Sequence, residues 1–209
     1  MIQVTSITEV INHLQGLKAI IFDLDDTLYG EKEYVRSGYR AVADILPQVE
    51  HMEGKLWQAF EQKKSAIDEV LTSEAIYTDE LKQKCLSVYR HHQPDIHFYE
   101  GVKEMLQVLR QDGYKLGIIT DGRPEGQRAK IKALGLEELV NHIIITDELG
   151  GVKYRKPNKA AFVKMQEALG VQFEEICYIG DNIKKDFVAP EMLRMKYIWF
   201  RNVDGLYCN

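Results

Sequence analysis

At 209 residues, 45% of them hydrophobic, the chain can bury a sizeable core as one large domain or as a core domain carrying an insertion, so disorder is not the expected default. Its 27 basic against 32 acidic residues, a net charge of -5, provide no broad basic field, so a nucleic acid polymer is not an expected partner. Cys85, Cys177 and Cys208 are odd in number, far apart and without CxxC spacing, which argues against a disulfide framework or structural zinc and for a reducing cytoplasm.

The opening MIQVTSITEVINHLQGLK lacks a basic segment followed by a long apolar one. Nowhere do about 18 apolar residues run together, so neither export nor a membrane is expected. The apolar run Lys18–Phe22 reads as a buried strand. From Tyr29 to about Tyr99 the strand signal vanishes. Val35, Tyr39, Val42 and Leu46 form one helical stripe, Leu56, Phe60, Ile67 and Leu71 another, and Leu81, Cys85 and Val88 a third behind the cap candidate Thr78. About 70 residues of helix are too many for an ordinary connection, so 29–99 are expected to form an inserted helical subdomain between core segments 1–28 and 100–209. In HHQPDIHFYE, Pro94 opposes helix and brings the chain back extended. EGVKEMLQVLRQDG then places Val102, Met105, Leu106 and Leu109 on one helix face, with Gly113 at its end. Strand Lys115–Ile119, helix GQRAKIKALG, strand His142–Ile145 and helix NKAAFVKMQEALG follow, the last aligning Phe162, Met165 and Leu169 and stopping at Gly170. Strands Ile176–Ile179 and Lys196–Phe200 close the pattern. Runs apolar throughout imply strands covered on both faces, so the expected class is α/β with a doubly wound parallel sheet.

In IIFDLDDTLYG, Asp23 and Asp25 project to the same side of an extended backbone, at the carboxyl end of the first strand, where open α/β sheets place ligands. Like charges so close raise one pKa unless a cation sits among them, and a divalent ion is the economical answer. Alone, DLDDT is a polar turn. Three further motifs each follow an expected strand: LGIITDG with Thr120, VKYRKPN with Lys156, and CYIGDNIKKD with Asp181 and Asp186. Alone, Thr120 and Asp121 are cap candidates, Lys156 is a loop lysine rivalled by Lys153 and Arg155, and Asp181 and Asp186 are a turn and a helix-terminal charge. Together they converge on one sheet edge.

In this order, with a helical insertion after the first, DLDDTL, Thr120, RKP and GDNIKKD resemble the haloacid dehalogenase superfamily in its phosphatase branch, from about Lys18 to Phe200. The resemblance implies a Rossmann-like core with a small all-helical cap. It implies that Asp23 is the nucleophile that forms an aspartyl phosphate, and that Asp25 is general acid and then base. That role wants a raised pKa, which crowding by Asp23 is expected to supply. Thr120, Asp121 and Lys156 are implied as phosphate-binding, with Pro157 selecting Lys156 because the family motif is Lys followed by Pro. Asp23, Asp181 and the backbone carbonyl of Asp25 are implied as ligands of Mg2+, with Asp186 orienting Lys156 or a metal-bound water.

The implied partner is a small phosphate ester, a phosphorylated sugar or nucleotide. A phosphomutase like β-phosphoglucomutase shares every core residue and stands as the alternative; Asp25 disfavours carbon–halogen cleavage. A phospho-accepting signalling receiver is the remote alternative, and receivers have no helical insertion. The cap is expected to ration water, with YGEKEYV and HHQPDIHFYE as its hinge strands. His91, His92 and His97 are not assigned a metal, and Asp26 is assigned to loop geometry. Arg194, where relatives often have Gly, touches helix-to-strand packing.

Overall fold

A computed structural model describes residues 1–206, so Cys208 lies outside the described residues. The chain divides into two compact units, one made of Met1–Glu31 and the chain from His97 onward, the other of Lys32–Ile96. The first unit is built on a parallel sheet of β1 (Ile2–Val4), β2 (Ala19–Phe22), β3 (Lys115–Thr120), β4 (His142–Ile145), β5 (Ile176–Gly180) and β6 (Lys196–Phe200). Their order across the sheet is β1-β6-β5-β2-β3-β4. Strand β2 is central, with Phe22 opposite Ile118 of β3 and Ile179 of β5. The order reverses around β2, which opens a crevice at the carboxyl ends of β2, β3 and β5. Strand β1 escaped the sequence reading. It is three residues long with one buried side chain, Val4, and it exists by pairing with β6, Val4 opposite Phe200. A segment that short shows no periodicity of its own.

The second unit is helical, with α1 (Glu31–Asp44) beginning one residue before it, then α2 (Met52–Glu61), α3 (Ala66–Ser73) and α4 (Asp79–His91). Its core joins Val35, Tyr39, Val42, Leu46, Leu56, Ile67, Leu71 and Cys85. Thr78 caps α4 as its residue type suggests, Oγ1 accepting from the Leu81 N–H at 3.0 Å. The second expected stripe is two helices, because Lys63 takes a left-handed φ of 58° and breaks the run between Phe60 and Ile67. The expected hinge strands are not strands. YGEKEYV is helical from Glu31 on, and HHQPDIHFYE makes only an isolated bridge, Phe98 with Tyr29.

Back in the first unit, α5 (Val102–Gln111), α6 (Pro124–Leu134), α7 (Leu136–Leu139), α8 (Ala160–Leu169) and α9 (Val188–Met192) are the α-helices among the described residues. Phe162, Met165 and Leu169 of α8 pack on Ile21, Ile119, Ile144 and Tyr178, which share one sheet face. Ile20 and Ile118, pointing the other way, are equally buried, so both faces are covered and the strands read as unbroken apolar runs. Each such side chain contributes about 1.5–3 kcal/mol on leaving water, and this packing fixes the strand ends on which the polar motifs sit. Among the described residues, no helix is long and apolar enough to cross a membrane.

Candidate active site

Beyond Phe22 the ladder continues for one bond, the Asp23 N–H donating to the Ile179 carbonyl at 2.8 Å, so Asp23 is held at the edge of the sheet and buried. The chain then turns sharply, with Leu28 N–H on the Leu24 carbonyl at 3.0 Å and Asp26 at φ 53°. The Asp26 carboxylate pins that turn, accepting from Glu31 N–H at 2.8 Å and Leu206 N–H at 2.7 Å. Its expected place in loop geometry fits this, the Glu31 bond being of the local kind that stabilises a left-handed Asp, while Leu206 ties the turn to a distant segment.

Lys156 reaches the same edge from the loop after β4. Its ammonium is 2.7 Å from Asp23 Oδ1 and 2.8 Å from Asp186 Oδ1, and donates to the Tyr178 hydroxyl at 2.8 Å. Burial works against its charge, but Asp186 and Asp23 hold its pKa well above the ordinary lysine value. The rival cations are elsewhere: Arg155 binds Asp147 with two bonds of 2.7 Å, and Lys153 is exposed beside the Tyr154 ring. Asp121 is not free to face a phosphate through its carboxylate. It accepts from Thr146 Oγ1 at 2.8 Å, from Lys156 N–H at 3.0 Å and from Lys185 Nζ at 3.1 Å, so it braces the Lys156 loop.

Asp23, Asp181 and Asp186 each bring a carboxylate oxygen within 4.8 Å of the others. Burial raises the Asp23 pKa to about 6 against the pull of Lys156, with Asp186 adding to the rise. Burial, then Asp23 and Asp186, push Asp181 to about 8. Clustered carboxylates of this kind are relieved by a cation, and an all-oxygen donor set fits a hard divalent ion. Asp186 already accepts from Asn182 N–H at 2.9 Å in addition to Lys156. Gly180 makes room for it: a Cβ there would stand 2.5 Å from Asp186 Oδ2.

Asp25 departs from expectation. Its Oδ1 lies 2.7 Å from Lys130 Nζ and accepts from the Tyr29 hydroxyl, while Oδ2 accepts from Gln127 Nε2 at 2.9 Å. Burial raises its pKa, yet the Lys130 charge and these bonds outweigh it, and the carboxyl lies below the usual range instead of above it. Crowding by Asp23 loses because Lys130 is in direct contact whereas the Asp23 charge faces Lys156. Thr120 is buried at the end of β3, its Oγ1 accepting from the same Gln127 nitrogen. Sequence reasoning missed Gln127 and Lys130. Their signal was present in GQRAKIKALG, where both share a buried helix face with Ile131 and Leu134.

The haloacid dehalogenase-like hydrolase family matches residues 20–200. Glyceraldehyde 3-phosphate phosphatase of Methanopyrus kandleri is 28% identical over 187 residues, 81% of this chain and 78% of that protein. Pyrophosphatase PpaX of Halalkalibacterium halodurans is 30% identical over 175 residues, 79% and 75%. A HAD-superfamily hydrolase of subfamily IA, variant 1, from Geobacter sulfurreducens shares the fold at a TM-score of 0.65 and 16% identity, with 88% of this chain and 87% of that one covered. Since the match runs through all four strand-end motifs and most of the chain, the protein belongs to the haloacid dehalogenase-like hydrolases.

Proposed function

We propose that the chain is a magnesium-dependent phosphatase that hydrolyses a small phosphomonoester, a phosphorylated sugar or nucleotide, through an aspartyl phosphate on Asp23. The observation that carries the reading is the buried contact of Lys156 with Asp23 beside the carboxylates of Asp181 and Asp186. A nucleophile, a cation for phosphoryl oxygens and a hard-metal donor set then occupy one sheet edge. The relatives' names, a glyceraldehyde 3-phosphate phosphatase and a pyrophosphatase, favour a small phosphate compound.

In this reading the Asp23 carboxylate attacks phosphorus as the ester P–O bond breaks, and Asp25 passes a proton to the departing alkoxide. Because Asp25 sits below the usual carboxyl range in the free protein, the proton arrives with the monoanionic ester. Asp25 then takes a proton from the water that releases phosphate. Lys156 and the Thr120 hydroxyl hold the equatorial oxygens. Asp23, Asp181 and the Asp25 carbonyl would hold Mg2+, which when bound offsets the charge of nucleophile and phosphoryl group as they meet. Asp186 orients Lys156. The helical insertion acts as a cap that selects a small ester and rations water.

Release of phosphate from p-nitrophenyl phosphate with Mg2+ tests the reading. It is expected to stop in Asp23→Asn and on chelation; turnover that persists in either case overturns it. A panel of sugar and nucleoside monophosphates ranked by kcat/KM gives the substrate class, and isomerised sugar phosphate in place of free phosphate marks a mutase.

A further inference from the structure

We propose that Gln127 is a positioning residue that sets the hydrogen-bond polarity of Thr120 and the orientation of Asp25 through one amide nitrogen; this rests on the phosphatase reading above. Gln127 lies in α6, outside the four strand-end motifs, and only 3% of it is exposed. Its Nε2 has two hydrogens and two acceptors, Thr120 Oγ1 and Asp25 Oδ2, the latter at 2.9 Å.

A threonine hydroxyl carries one hydrogen and can point it at any acceptor in reach. By donating to Oγ1, Gln127 fills the lone pair on its own side and leaves the hydroxyl hydrogen for another acceptor. Among the described residues no other side chain bonds that oxygen. The group is thereby fixed as a donor, the polarity a phosphoryl oxygen requires. The second hydrogen holds Asp25 Oδ2, while Lys130 and Tyr29 occupy Oδ1. With two donors on Oδ1 and one on Oδ2, the carboxylate is held in a single orientation. The side chain that does this is tightly seated: a Cβ on Gly122, at φ 144°, would stand 3.1 Å from Gln127 Cδ and Cγ.

Gln127→Met removes both donors at similar length. Gln127→Glu places an acceptor where the donor was and draws the Thr120 hydrogen away from the substrate. The probe is inorganic phosphate as a competitive inhibitor of p-nitrophenyl phosphate turnover with Mg2+ present. Its inhibition constant is expected to rise about tenfold in Gln127→Met and further in Gln127→Glu, in line with loss of a hydrogen bond to a charged group. In a Thr120→Val background the Met substitution is expected to add less than about threefold, because its effect on phosphate passes through the missing hydroxyl. Equal, additive losses in both backgrounds overturn the positioning role while the phosphatase reading stands. An unchanged inhibition constant in Thr120→Val itself removes Thr120 from the phosphate site and overturns the positioning role, whereas the phosphatase reading falls only if turnover persists in Asp23→Asn or on chelation. Thermal melts of each variant identify one that has not folded, and Gln127→Glu, a near-isostere, then replaces the Met variant in the cycle.

Discussion

Lys156 Nζ lies 2.7 Å from Asp23 Oδ1, and both side chains are almost wholly out of water. Lys156→Met leaves Asp23 and Asp186 as buried carboxylates without their cation. Breaking a buried pair from one side costs about 3–5 kcal/mol, so urea unfolding of the chelated variant is expected to show a loss of that order. Its kcat/KM for p-nitrophenyl phosphate is expected to fall by about 100-fold or more. An unchanged urea midpoint contradicts the pairing.

The acidic cluster makes stability depend on pH and metal together. Asp23 and Asp181 rise from 3.8 to about 6 and about 8, so without metal the folded chain binds their protons more tightly than the unfolded chain does. That contribution is complete below 3.8 and is lost as pH rises through about 6 and then about 8. A cation favours the ionised carboxylates. The gain in Tm on adding Mg2+ to chelated protein is therefore expected to grow between about pH 5 and about pH 8, and to flatten in Asp181→Asn. An equal gain at both pH values contradicts the cluster as the metal site.

Arg194 follows α9 at φ 59°, a left-handed position where glycine carries no Cβ penalty. The L residue loses about 1–2 kcal/mol there, and glycine's extra freedom in the unfolded chain returns about 0.5–1. Arg194→Gly is expected to stabilise the protein by about 0.5–1 kcal/mol, a rise in Tm of roughly 1–4 °C by calorimetry. A lower Tm shows that the arginine makes compensating contacts.

Much of the core was legible because β2, β5 and, beyond Lys115, β3 are buried on both faces and leave unbroken apolar runs such as Ala19–Phe22. The same packing puts Asp23, Thr120 and Asp181 at strand ends, which is why spacing alone could bring them together. What sequence could not give was the partner of each charge. Asp25 stands two residues from Asp23, yet its environment is set by Lys130, 105 positions away, and by Gln127, 102 away. Asp121 shows the same limit: adjacent to Thr120, it is claimed by Thr146, Lys156 and Lys185. Strand β1 and the break at Lys63 were lost for a local reason, since three residues carry no period and a left-handed lysine has no sequence mark.

The central claim is covalent chemistry at Asp23. Acid-quenching the Mg2+-dependent reaction, reducing it with borohydride and mapping the peptides by mass spectrometry reads it directly, because an acyl phosphate is reduced to an alcohol and a free carboxylate is not. Reduction at Asp23, dependent on substrate and absent after chelation, is the expected result. Steady phosphate release with the Asp23 peptide unaltered, and turnover retained in Asp23→Asn, contradicts the account.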